Sequence, residues 1–190
     1  MPLGRIDTER FWDQILQIVE EGRVIPVVGP DLLLLSERDS TALLYPHLAQ
    51  RLAEYLELGD EPSASASLNA VACRYLAQGN DPQEIYSALK AVMPADDELP
   101  IPEALIKLAE IRSLKTFVSI TFDSLLERAI NQVRFGGQPK TRVLAYSPNR
   151  TEDLDPGIVS ADRPVVFHLF GKLSAVPDYA VTEEDTLEFI

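Results

Sequence analysis

One cysteine and two histidines are all that this sequence offers a transition metal. A structural zinc site needs four ligands drawn mainly from those residue types, so Cys73, His47 and His168 cannot build one. A single cysteine also excludes an internal disulfide framework and suits a reducing, cytoplasmic compartment. Cys73 itself is read as a small buried residue on a helix. Cations are scarce as well: 17 Lys and Arg face 30 Asp and Glu, a net charge of −13. No basic stripe appears, which argues against a nucleic-acid partner, because phosphate contacts need clustered cations. Long apolar runs are missing, and none approaches the roughly 20 residues of a membrane helix. Arg5, Asp7, Glu9, Arg10 and Asp13 occupy the stretch where a secretory signal would be apolar. Neither a Walker phosphate loop nor a nucleophile-elbow motif is present.

What remains is globular. The 190 residues are 46% apolar and 25% charged, enough for one domain of ordinary size. Apolar strands alternate with helical patterns, which predicts an α/β fold with a Rossmann-like parallel sheet. Strands are expected at 23–28, 116–120, 142–146 and 165–169. The first is apolar throughout and is read as buried on both faces. Residues 32–35 are read as one arm of a hairpin turning at 36–40. Helices are expected at 8–21, 45–58, 65–76, 82–93, 103–111 and 124–133. Phe11, Ile15, Ile18 and Val19 form the packing stripe of the first, with Trp12 beside them and Gly22 as a left-handed stop. Asp81 before Pro82 is an N-cap followed by proline at the first helical position. Thr182 and Asp185 open a final helix as a capping box. The helices at about 41–112 form an insertion beside the sheet. The amphipathic pattern breaks off at Ile190, so a chain truncated at its C-terminus, the N-terminal part of a longer multidomain protein, is expected.

Three strand ends hold the candidate chemistry: Val27-Val-Gly29, Ile120-Thr-Phe-Asp123 and His168-Leu-Phe-Gly171. Open α/β sheets bind ligands at the carboxyl ends of their strands, so one shared crevice is expected. Glycine turns admit phosphates by close backbone approach. Here Pro30 removes a donor and Asp31 adds a negative charge where a pyrophosphate would lie. Asp123 is either the N-cap of the following helix or an acceptor for a ligand amide or ribose. Thr121 offers a hydroxyl. His168 is either a satisfied core histidine or a base facing the crevice. By strand period His168 and Phe170 share a face.

In order and spacing these segments resemble the sirtuin-like domain family, Rossmann-like domains that bind nicotinamide adenine dinucleotide (NAD). Prokaryotic members destroy NAD in antiphage defence. Val27-Val-Gly-Pro-Asp31 stands for the family's Gly-Ala-Gly turn. Ile120-Thr-Phe-Asp123 with Leu125-Leu-Glu127 stands for its Thr-Asn-aromatic-Asp turn and Leu-Leu-Glu. His168-Leu-Phe-Gly171 stands for His-Leu-His-Gly, and Thr182 to Asp185 for its acidic helix start. The resemblance implies cofactor contacts at Gly29, Pro30, Asp31, Asp123 and Gly171. It also places Thr121 where the family has its catalytic asparagine, and Phe170 where it has its catalytic histidine. The favoured implication is a non-catalytic domain that binds NAD or another nucleotide weakly, or only a protein partner, and gates a fused downstream effector, in a homo-oligomer. The alternative implication is an active NAD hydrolase in which His168 or Asp123 takes a new role.

Overall fold

The computed structural model describes residues 8–37, 40–59, 67–96, 98–148, 159–160, 162–174 and 178–189. Its centre is a four-stranded, wholly parallel sheet of β1 (Val27–Val28), β4 (Thr116–Ser119), β5 (Arg142–Ala145) and β6 (Val165–His168), in the order β1-β4-β6-β5. Seven α-helices accompany it among the described residues, and the fold is a Rossmann-like α/β architecture. The two central strands are the best buried: Phe117 and Ser119 of β4 and Val165, Val166 and His168 of β6 are almost completely withdrawn from solvent.

β1 departs from expectation. Only two of the six residues in the predicted strand pair, and β1 is a sheet edge rather than a strand buried on both faces. Pro26 contributes its carbonyl, which accepts from the Val118 N–H at 2.9 Å, but proline has no N–H with which to continue the ladder. Ile25 and Val27 are 58% and 62% exposed. The first helix, α1 (Thr8–Glu20), also packs less than its pattern suggests. Phe11, Trp12 and Ile18 are exposed, and Val19 is the stripe residue that reaches the core cluster. Gly22 does end it in the left-handed region, with φ +68°.

Between β1 and β4 come a three-residue 3-10 turn (Pro30–Leu32), the hairpin β2 (Leu34–Glu37) and β3 (Ser40–Leu43), and four helices. The helices are α2 (Leu44–Tyr55), α3 (Leu68–Ala77), α4 (Pro82–Val92) and α5 (Glu103–Glu110). α2 packs on α3 and α4, while α5 packs on α6 (Leu125–Phe135). The Asp81 side chain accepts from Gln83 N–H at 2.9 Å, as its position before Pro82 predicts. Cys73 corrects the expectation of burial: it is exposed on α3, with Sγ 3.4 Å from Asn69 Oδ1.

α6 starts one residue later than expected and ends on Gly136 with φ +61°. The Arg134 guanidinium donates to the carbonyls of Ala109, Ile111 and Leu114, tying α6 to the end of α5 and the approach to β4. The last helix, α7 (Glu183–Glu188), carries the predicted capping box. Thr182 Oγ1 accepts from Asp185 N–H at 3.0 Å, and the Asp185 carboxylate accepts from Thr182 N–H at 2.8 Å. Most of the polar loop expected at 147–157 lies outside the described residues.

Candidate functional site

The three strand ends are level. Val28 pairs with Ser119, and Ser119 with His168. Ile120 N–H donates to Val28 carbonyl at 2.9 Å, and Leu169 N–H to Ser119 carbonyl at 2.8 Å. The turns that follow therefore leave from one edge of the sheet.

A cavity of about 320 Å³ opens there. Its lining includes Pro30 and Asp31 after β1, Ile120 and Phe122 after β4, and Tyr45 from the first turn of α2. Ser67 and Asn69 at the start of α3 and Val181 before α7 complete its wall. The structure thus brings Pro30 and Asp31 of the first expected turn together with Ile120 and Phe122 of the second and adds two helix starts, while Gly29, Thr121 and Asp123 do not line the cavity. The third turn, Leu169 to Gly171, is absent from the lining.

Tyr45 is the residue that sequence reasoning missed. Its hydroxyl accepts from Phe122 N–H at 2.9 Å and donates to Asp123 Oδ2 at 3.2 Å. Its ring packs on Phe122 with centroids 5.0 Å apart. Partners 77 and 78 residues away leave no local signal in the sequence. Burial, and then the Asp123 charge, push its phenol well above the ordinary value. At neutral pH it is a neutral group that both donates and accepts.

Asp123 stands one residue before the N-cap of α6, which is Ser124 and makes no side-chain cap of its own. Asp123 Oδ1 accepts from Leu125 N–H at 3.0 Å and the residue is 3% exposed. Burial raises its carboxyl pKa against the lowering effect of the Leu125 hydrogen bond. Thr121 is buried beside it, with Oγ1 2.8 Å from Ser119 Oγ. The pocket reaches Asp123 through Tyr45.

His168 is fully buried and belongs to a different cluster. Nδ1 lies 2.9 Å from Thr121 carbonyl oxygen, so it carries the hydrogen and donates. Nε2 faces Glu127 Oε2 at 3.3 Å. Lys172 donates to the other carboxylate oxygen of Glu127. Burial pushes the Glu127 carboxyl up, but His168 and then Lys172 outweigh it and leave its pKa lowered. His168 is therefore a core histidine rather than a base facing the crevice, but only half satisfied: Nδ1 is hydrogen-bonded, while Nε2 and the Glu127 Oε2 it faces make no hydrogen bond. Glu127 was visible as the last residue of Leu125-Leu-Glu127, and Lys172 follows Gly171 directly. Neither carried a signal of pairing with His168.

Phe170 does not share a strand face with His168, because β6 ends at His168 and residues 169–170 are a turn. Phe170 is half-buried and its carbonyl accepts from Ala180 N–H at 2.9 Å. Gly171 has φ +78°, and a Cβ there would lie 2.0 Å from Asp178 carbonyl oxygen. Packing against the returning chain, which bridges at Tyr179, accounts for this glycine. Gly29 is different: its backbone is extended, with φ −116°, and a Cβ would meet Ile120 Cδ1 at 3.3 Å.

The Gly29-Pro-Asp31 turn is a poor phosphate cradle. Pro30 has no N–H, and Leu32 N–H is spent on Gly29 carbonyl at 3.3 Å. No group of three or more His, Cys, Asp or Glu among the described residues is placed to hold a metal ion. No protein-family model matches the chain, and no curated protein matches it either.

Proposed function

We propose that the chain is a sirtuin-like nucleotide-binding domain without catalytic activity, which regulates a fused effector in a cytoplasmic, homo-oligomeric defence protein. The observation that carries the non-catalytic part is the composition of the cavity. Among the described residues its polar side chains are those of Asp31, Tyr45, Ser67 and Asn69. His168 is sealed beneath the strand ends and its nitrogens face Thr121 and Glu127. A general base must come within hydrogen-bond reach of the proton it takes, and His168 has no route to one. The Thr121 hydroxyl is buried against Ser119 Oγ, and Phe170 has no transferable proton.

The volume supports a partial ligand. About 320 Å³ is near the small end of ligand pockets and suits a nucleoside-sized group better than a whole dinucleotide. The lining mixes aromatic and aliphatic surface with the Tyr45 hydroxyl and the Asn69 carboxamide, a chemistry for a flat ring with an amide or sugar hydroxyl. Incubation of the protein with NAD and assay of released nicotinamide is the test. Release no faster than the buffer blank is expected. Robust turnover that dies with Asp123→Ala would overturn the reading in favour of an NAD hydrolase.

A further inference from the structure

At the opposite end of the sheet, where the strands begin, a cleft of about 600 Å³ is lined by Lys140, Arg142, Asp162 and Arg163. We propose that this cleft is an anion site for a phosphate chain, separate from the crevice at the strand carboxyl ends. Lys and Arg number 17 against 30 Asp and Glu in the chain, yet three of these four lining residues are cationic. None of the three cations forms an ion pair with a described residue. Three cations against one carboxylate, Asp162, among the described lining residues leave the cleft with a surplus of positive charge, and a bound polyanion offsets it.

Their backbones are fixed. The Asn131 side-chain carbonyl accepts from Lys140 N–H at 3.0 Å, Thr141 N–H at 2.9 Å and Thr141 Oγ1 at 2.8 Å. Arg142 begins β5 and its N–H donates to Pro164 carbonyl at 2.9 Å. Arg163 is held by an antiparallel bridge to Ser160. The Lys140 ammonium lies 5.6 Å from the Phe135 ring centroid, a cation–π contact beside the cleft. Rigid mounting lowers the entropic cost of closing on a ligand. Two guanidinium forks and an ammonium match the oxygens of a di- or triphosphate, and the cleft is larger than one phosphate needs. Asp162 sets an upper limit on affinity by opposing the ligand's charge.

The experiment is calorimetric titration of the whole chain with inorganic pyrophosphate and triphosphate, repeated at several salt concentrations. Saturable binding that weakens with salt is expected. Arg142→Gln and Arg163→Gln should each weaken it about tenfold, by loss of a charge-assisted contact. Lys90→Gln, which removes the same charge from the exposed face of α4, should weaken it less than about twofold, and Asp162→Asn should tighten it. Arg163 is exposed, so its variant keeps the test valid if Arg142→Gln fails to fold. Adenosine triphosphate binding like inorganic triphosphate would assign the site to the phosphate chain alone. Tighter binding of adenosine triphosphate, still dependent on Arg142, would assign it to a nucleotide. Absence of saturable binding, or equal losses in Lys90→Gln and the two arginine variants, would overturn the proposal. Binding of a duplex oligonucleotide that pyrophosphate does not displace would overturn it too.

Discussion

At the residue scale, buried charge is the dominant feature, and the two carboxyls beneath the strand ends behave oppositely. Glu127 is held by His168 and Lys172. Glu127→Gln leaves the half-buried Lys172 ammonium without its counter-charge and removes the carboxylate that faces His168, a loss of about 3–5 kcal/mol by analogy with broken buried pairs. A carboxyl whose folded pKa is lowered contributes stability above its unfolded pKa and loses it as pH falls through the folded value. The variant's deficit should therefore be full at pH 7 and shrink below the ordinary glutamate range. Urea melts of both proteins across that range would reveal it, and a deficit independent of pH would refute the assignment.

Asp123 has the reverse sign. Its folded pKa is raised, first by burial. Its contribution is present below the unfolded pKa and lost as pH rises through the folded value. Asn at this position can still accept from Leu125 N–H and pair with Tyr45. Asp123→Asn should therefore match the parent in acid and gain stability relative to it as pH rises towards neutrality. A variant less stable than the parent at pH 7 would contradict this. Gly171→Ala belongs to the same scale. The left-handed backbone and the clash with Asp178 together should cost about 2–4 kcal/mol, visible as a lowered denaturation midpoint.

At the scale of elements, what could be read in the sequence was what is local. The capping box of α7, the Asp81 cap of α4, the hairpin of β2 and β3 and the glycine stop of α1 each depend on residues within a few positions of one another. Thr182→Ala should cost about 1 kcal/mol and speed amide exchange across α7 while leaving α6 unchanged. The failures were long-range. Apolar character in β1 and α1 does not reveal whether another element covers them. Ile25, Val27, Phe11 and Trp12 are uncovered in this structure, so periodicity marked the right face but not its burial. The same limit hid Tyr45, whose function is set by a turn 77 residues away. Strand parity failed at Phe170 because β6 stops two residues earlier than that argument needed.

At the scale of the whole molecule, the turns after β1 and β4 line one cavity with the starts of α2 and α3, and its details argue for weak binding of any phosphate-bearing ligand. Asp31 lines the cavity beside Pro30, and the net charge of −13 adds a long-range repulsion of anions. A unit charge about 4 Å from another costs about 1 kcal/mol in water and several kcal/mol when partly buried. NAD should then bind with a dissociation constant of about 100 µM or weaker, equivalent to about 5.5 kcal/mol or less. Replacing Pro30 by Ala and Asp31 by Gly together restores one backbone donor and removes the charge. The Gly29 backbone is extended, so the double change asks nothing of its conformation. Calorimetry should show NAD binding tightened at least several-fold in the double variant, with adenosine, which has no phosphate, gaining little. That contrast assigns the gain to the phosphate rather than to a looser pocket. Low-micromolar NAD binding by the parent protein, or a folded double variant with no gain, would defeat the argument. An equal gain for adenosine would show that the turn excludes ligands by shape instead of charge.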